Sequence, residues 1–434
     1  MRNTHPAPYY FSDAALASAG YSKTPGNNAP LHLAIVTETY DPEVNGVAMT
    51  LGRIVNGLIA QGHTVQLHRP RQLHEPASCH AVHHKATPNL KEFLYAGLPI
   101  PGYAGLRFGV PAQRRLMEHW RTSRPDMVHV VTEGPLGLSA VSCARAMHLP
   151  ISSSFHTNFQ SYSKHYGVGL LHRSIDRYLR NLHNKTSATM VPTQAMQQEL
   201  HLRGYKNTKI VSRGVEIDLF SPAKRSESLR QEWGVRDHDL VLMHVGRIAK
   251  EKNIAVLIAA YRAILAKHAS AKLVLVGDGP LRKALEQSCP EAIFAGVQKH
   301  ESLARYYASA DVFLFPSVTE TFGNVVTEAL ASGLAVVSFA RAAALELIRH
   351  NDSGVLATQE DEAHFVEASL NMVSNMAAMH NMRQAAVASV AHLRWSAVVD
   401  SFVRTLEDAK ENHRQKYYPA IGERLATPLR LSSA

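Results

Sequence analysis

The sequence predicts an α/β protein built from two doubly wound parallel sheets, one per domain, with a ligand cleft between them. Three observations predict it. The chain has 434 residues, too many for one core of ordinary size, so two domains is the natural division. Short apolar runs of buried-strand type alternate with segments of helical periodicity, the pattern of parallel βαβ units. The alternation then starts afresh after Ser221–Pro222, which calls for a second sheet.

Taken in order, residues 1–30 are rich in Ala, Pro, Ser and Asn and read as a loose tail. LHLAIVT (31–37) is the first strand, followed by the loop ETYDPEVNG and a helix from about Val47 to Gln61, with Gly62 at C′. TVQLHRP (64–70), DMVHVVT (126–132), ISSSF (151–155), SATMVPT (187–193) and TKIVSRGV (208–215) complete a first domain, 31–215. The second domain, 222–394, carries DLVLMHVGRI (239–248), a helix through IAVLIAAYRAILAKH (254–268), then KLVLVGDGP (272–280), AIFAGV (292–297), DVFLFPS (311–317) and LAVVSF (334–339). A last helical segment covers 395–418.

Composition narrows the class. Hydrophobic residues make up 45% and charged residues 19%, an ordinary globular balance. No apolar run approaches the roughly 18 residues of a membrane-spanning helix, and the first residues lack the basic and apolar regions of a secretory signal. Cys79, Cys143 and Cys289 are far apart with no C-x-x-C pair, which excludes a disulfide framework and a structural zinc site. His80, His83 and His84 are dense enough for a metal but have no second ligand group at usable spacing, and read as a solvated loop. A cytoplasmic protein is expected.

The net charge of +10 sits in one half. Residues 1–210 hold 21 basic and 11 acidic residues, and the remainder 25 of each. The excess includes Arg107, Arg114, Arg115, Arg121, Arg124 and Arg145. Solvated helix faces would account for it, but Arg107 among the apolar and aromatic residues of LPIPGYAGLRFGVP suits an anionic membrane surface, as a peripheral contact on its inner face. Nucleic acid is not expected, since no RNA-binding aromatic motif or zinc finger occurs.

Neither first strand is followed by G-x-G-x-x-G. Asn45-Gly46 precede a helix start, where the backbone can approach a ligand and amides favour an anion. VGRIAKEKN (245–253) puts Arg247 and Lys252 just past an apolar strand, a guanidinium fork and an ammonium suited to a diphosphate. PSVTETFGNVVTEALASG (316–333) carries Glu320 and Glu328 eight positions apart around Thr321, Gly323 and Asn324, at an expected helix start. The amides of Phe322–Val325 are then free for ligand oxygens, and the two carboxylates can accept hydrogen bonds from sugar hydroxyls.

With its E-x7-E and G-R-x-x-x-E-K-N elements, the chain over roughly 31–410 resembles the retaining, nucleotide-sugar-dependent glycosyltransferases of family 4, which have the GT-B fold of two Rossmann-like domains facing a central cleft. The resemblance implies that Glu320 holds hydroxyls of the donor sugar and Glu328 the ribose. It implies that Arg247 and Lys252 neutralise the leaving diphosphate, while Gly323, Asn324 and Val325 bind sugar and phosphate through their backbone. Asn45 and Gly46 would face the donor, IFAGV (293–297) with Phe294 the base, and VGDGP (276–280) matches a recurring turn. SSFHTNFQSYSKHYG (152–167) resembles the segment with the family's active-site histidine, here His156. The helix from Trp395 is expected to cross back onto the first domain.

No cofactor and no metal are implied: a UDP-sugar or GDP-sugar is the donor substrate. The one D-x-D, Asp237-His238-Asp239, precedes a strand instead of following it. Members retain configuration by front-face attack, the leaving phosphate taking the acceptor proton, so no nucleophile is assigned. Glu133, in VVTEGPLG, reads equally as a ligand contact and as a carboxylate at a helix N-terminus. The charge asymmetry favours a membrane glycerolipid acceptor such as diacylglycerol. The alternatives are a GDP-mannose-dependent α-mannosyltransferase acting on a lipid-linked or soluble glycan, and a nucleotide-sugar epimerase of the same fold.

Overall fold

The computed structural model describes residues 29–417 apart from 42, 44, 74, 84–86, 100–106 and 157–168. The tail over 1–28, His84, most of the PIPGYAG stretch and the T-N-F that follows His156 lie outside the described residues.

The first domain holds β1 (His32–Val36), β2 (Thr64–Pro70), β3 (Ala81–His83), β4 (Leu90–Tyr95), β5 (Gly97–Pro99), β6 (Arg107–Gly109), β7 (Met127–Val130), β8 (Ile151–Ser154), β9 (Ala188–Val191) and β10 (Thr208–Ile210). Eight of them form one sheet in the order β10-β9-β8-β7-β1-β2-β4-β3, parallel except at β3, while β5 and β6 pair as a separate antiparallel ribbon. The second domain holds β11 (Val241–Val245), β12 (Lys272–Val276), β13 (Ile293–Gly296), β14 (Val312–Phe315), β15 (Ala335–Phe339) and β16 (Gly354–Ala357). They form an all-parallel sheet, β13-β12-β11-β14-β15-β16.

Alternation along each strand explains why both sheets are covered on both faces. Val241, Met243 and Val245 enter one core cluster and Leu240 and Leu242 another. In the first domain Leu33 and Ile35 pack on one side of β1, Ala34 and Val36 on the other. The helix Trp395–Tyr417 lays Trp395, Val398, Val399, Phe402 and Leu406 into the first of these first-domain clusters, against the helix Gly46–Ala60.

Each sheet reverses its strand order at its middle, between β1 and β7 and between β11 and β14. Loops leaving the strand C-termini there diverge and open a crevice, where open α/β sheets bind ligands. The loops in question are Thr37–Asp41 in the first domain, and Gly246–Asn253 and Pro316–Gly323 in the second.

Several strands escape the sequence pattern. His83 lies in β3 and not in a solvated loop. The 208–215 run is a strand only to Ile210, after which it becomes the crossing segment that carries Arg213. β4 is buried although it contains Lys91 and Glu92, because Glu92 accepts from Arg69 Nε at 2.6 Å and Arg69 also pairs with Glu75 at 2.7 Å. A compensated ion triad thus stands where an apolar run would advertise a core strand.

Candidate active site

The cleft between the two sheets has a volume of about 840 Å³, the size of a site for a substrate of drug size or larger. From the first domain it is lined by Asn45, Gly46 and His156, and from the second by Arg247, Lys252, Glu320, Gly323, Asn324, Val325 and Glu328. Segments far apart in sequence thus converge because they follow the C-terminal ends of strands in the two sheets.

The loop after β11 is built on its neighbour. Gly246 N donates to Val276 O at 3.0 Å and Ile248 N to Asp278 O at 3.0 Å. Gly277 has φ +134°, and a Cβ there would lie 2.0 Å from the Gly246 carbonyl oxygen. The VGDGP turn therefore props the loop that presents Arg247 and Lys252. The same loop is tied to the one after β14 by Asn253 Nδ2 donating to Pro316 O at 2.9 Å and Thr319 Oγ1 to Glu251 O at 3.2 Å.

Lys252 Nζ forms an ion pair with Glu320 Oε1, to which Ser317 Oγ also donates at 3.0 Å. Arg247 lies on the rim, 63% exposed, with Glu251 at 3.2 Å. The helix Asn324–Ala331 begins at Gly323, whose φ of +91° only glycine adopts without strain, and its first turn has no side-chain cap. Its first amides are left for a ligand, at the positive end of the helix dipole. The Asn324 side-chain oxygen is buried without a hydrogen-bond partner among the described residues.

Glu328 sits one turn further along and accepts from the Tyr307 hydroxyl at 3.0 Å. Burial is the largest cause that pushes its carboxyl up to about 7, and nearby Glu216 adds to it. Its carboxyl therefore takes up a proton as the pH falls through about 7. A carboxylate accepts two hydroxyls better than a carboxylic acid does, so a ligand diol held by Glu328 would bind more weakly as pH drops below about 7. In pH profiles of kcat/KM for the donor, Glu328→Gln should remove that limb and lower the plateau roughly tenfold.

Asn45 does not leave its helix start open. Its Oδ1 accepts from Val47 N at 3.1 Å and Ala48 N at 2.9 Å, a side-chain cap that occupies the amides an anion would use. Phe294 is not among the cleft-lining residues: it packs against the second-domain core, and Val297, 61% exposed, lines the cleft beyond it. Glu133 is also absent from the lining and takes the buried His183 as partner at 3.2 Å. Asp239 of the D-x-D stands before β11, far from its cleft end, and binds Arg236 at 2.8 and 3.1 Å. Among the described residues no group of three or more His, Cys, Asp or Glu could hold a metal ion.

Residues not singled out from the sequence also line the cleft. Arg53 pairs with Glu216 at 2.5 Å, linking the Gly46–Ala60 helix to the crossing segment. Arg213 reaches His156 with Nη2 3.3 Å from the ring Nδ1 and lies over the Phe322 ring. The only local signal for Arg213 was a glycine after it, and Gly214 is there because a Cβ would meet the Trp395 ring at 2.6 Å.

Comparison with known proteins agrees with this geometry. Residues 239–375 match the family model described as Glycosyl transferases group 1, and residues 44–219 match Glycosyltransferase Family 4. A GDP-mannose-dependent alpha-mannosyltransferase of Mycobacterium tuberculosis is 31% identical over 75% of this chain and 83% of its own length. An alpha-monoglucosyldiacylglycerol synthase of Streptococcus pneumoniae is 28% identical over 71% of each. The solved structure of an Anabaena protein, HepE, in complex with UDP-glucose superposes with a TM-score of 0.65 at 19% identity, over 87% of this chain and all of that one. Two parallel-sheet domains, a cleft at both strand-order reversals and these relatives together place the chain in glycosyltransferase family 4, with the GT-B fold.

Proposed function

We propose that the protein is a retaining, metal-independent hexosyltransferase that moves a sugar from a nucleoside diphosphate to a hydroxyl of a membrane glycerolipid such as diacylglycerol. The observation that carries the reading is one cleft combining Arg247, Lys252 and an uncapped helix start at Gly323–Val325 with the carboxylates of Glu320 and Glu328, opposite His156. The cations and the helix start would meet the diphosphate, Glu320 the sugar hydroxyls and Glu328 the ribose. This division supports transfer because charge develops on the diphosphate as the anomeric C–O bond breaks, and donors fixed beforehand stabilise that state most. The acceptor oxygen forms the new bond on the same face, and its proton passes to a leaving phosphate oxygen.

The acceptor assignment is supported by the first domain's charge and by the name of the Streptococcus pneumoniae relative. Arg114, Arg121 and Arg145 are exposed, whereas Arg115 is half-buried over the Tyr95 ring. Met49, 56% exposed, adds an apolar side chain at the cleft. No helix among the described residues is long and apolar enough to cross a membrane, so such a lipid would be reached from the surface. Replacing Arg114, Arg121 and Arg145 by glutamine should weaken sedimentation with anionic liposomes roughly tenfold at low salt, with the difference vanishing at high salt. Unchanged sedimentation would remove the membrane surface from the reading.

A second reading, transfer from GDP-mannose to a lipid-linked or soluble glycan, is favoured by the name of the Mycobacterium tuberculosis relative. The two separate in one experiment with radiolabelled UDP-glucose and GDP-mannose. Label entering the organic phase only with diacylglycerol liposomes supports the first, and label in an aqueous glycan the second.

A further inference from the structure

Arg213 and His156 meet in a way that fixes which ring nitrogen holds a proton. Arg213 Nη2 lies 3.3 Å from His156 Nδ1 in hydrogen-bond geometry. A guanidinium has donors only, so Nδ1 must present its lone pair. The proton of the neutral ring is then on Nε2, and an imidazolium, with protons on both nitrogens, is incompatible with the contact.

Both domains hold the pair. Arg213 is buried, 5.8 Å over the Phe322 ring of the second domain. Gly46 at the helix start packs beside the guanidinium, where an added Cβ would stand at ordinary contact distance, 3.6 Å from Arg213 Nη1. Thr321 Oγ1 donates to the His156 carbonyl at 3.4 Å. Burial pushes the imidazole well below its ordinary value, and the groups facing the ring, Arg213, His129 and His183, each add to this by opposing positive charge on it. Arg213 is drawn down by burial to about 10, with Glu320 acting against the fall, and remains cationic at neutral pH.

We propose that Arg213 is a positioning residue that locks His156 in its neutral Nε2–H tautomer, so that the ring enters the sugar-binding cleft as a hydrogen-bond donor and not as a proton acceptor. The proposal rests on the glycosyl-transfer reading for the role of His156, but the tautomer itself is independent of that reading. A ring of this kind donates to a sugar or acceptor hydroxyl without changing charge across the neutral range.

The test is nitrogen-15 NMR of histidine-labelled protein, with His156 assigned by its loss in His156→Gln, alongside kinetics of Arg213→Lys and Arg213→Met. The wild type should show an unprotonated Nδ1 and a protonated Nε2 that do not titrate between pH 6 and 8. In Arg213→Met the tautomers should mix, a titration should appear, and kcat should fall about a hundredfold with donor KM changed less than about threefold. Arg213→Lys, which keeps a donor, should restore the tautomer and part of the rate. A protonated Nδ1 or a titrating His156 in the wild type would overturn the proposal. So would a rate loss in Arg213→Met with the tautomer unchanged, the mark of a merely structural arginine. If no glycosyl transfer is found with any donor while the wild-type tautomer is as stated, the functional reading falls and the lock stands.

Discussion

Replacing Arg247 and Lys252 together by alanine should lower kcat for glycosyl transfer by at least about 10³-fold, since removing a single preorganised donor costs roughly 10²–10³ in comparable sites. The two cations come from one short loop, Gly246–Asn253, and reach the cleft from the rim and the interior respectively. Fold should survive. Arg247 is mostly exposed and its partner Glu251 can be solvated, while Lys252 and Glu320 are each 21% exposed, so an unpaired Glu320 is still reached by water. The check is single-turnover kinetics with a melting curve on the same preparation. A thermal midpoint within a few degrees of wild type beside a collapsed rate assigns the loss to chemistry. A rate reduced by less than tenfold would mean that the leaving diphosphate is not met here.

Gly277→Ala should be among the most damaging single substitutions outside the cleft lining. Its φ is +134°, and the added Cβ would stand 2.0 Å from the Gly246 carbonyl oxygen and 2.9 Å from that carbonyl carbon. Both are backbone atoms, so no side chain can swing away. Strain of about 1–3 kcal/mol for the dihedral adds to about 1–3 kcal/mol for overpacking, giving roughly 3 kcal/mol or more. Because Gly246 leads directly into Arg247, activity should fall further than the folded fraction does. Gly62→Ala serves as the control: its φ is +90° with nothing within 4 Å of the new methyl, so it carries only the dihedral cost of about 1–2 kcal/mol. Denaturant midpoints of the two variants separate the terms, and equal losses would refute the close approach of the two strand-end turns.

The strands that the sequence shows plainly are those buried on both faces. β1, β11, β12 and β15 are mostly aliphatic because helices cover both faces of their sheets, and the buried polar residues among them, His244 and Ser338, bond to backbone carbonyls. β4 is hidden because the Arg69–Glu92–Glu75 triad keeps charge inside the sheet. β16 is hidden because GVLA is four residues at a sheet edge. The cleft shows the same division. Arg247, Lys252, Glu320 and Glu328 stand out because each lies in a contiguous segment just past a strand, and chain-local spacing is what a sequence displays. Arg213 does not, since its partners His156 and Phe322 come from other parts of the chain. Asn45 was visible as a small polar residue at a helix start, but sequence does not say whether such a side chain caps its own helix or leaves the amides free. Glu133 follows the end of β7 and Phe294 lies within β13, and only the fold decides that one turns to His183 and the other into the core.

In the proposed reaction the cleft splits a nucleoside diphosphate from a sugar with its own cations and helix start. Release of nucleoside diphosphate by purified protein tests it most directly. The assay offers UDP-glucose, UDP-galactose, UDP-glucuronate and GDP-mannose, each with and without diacylglycerol in anionic liposomes, with EDTA throughout. The expected result is release from one of these donors in the presence of EDTA, raised by an acceptor and lost in the Arg247, Lys252 double variant. No release from any donor with lipid or glycan acceptors present, or release that only an added divalent cation restores, would contradict it.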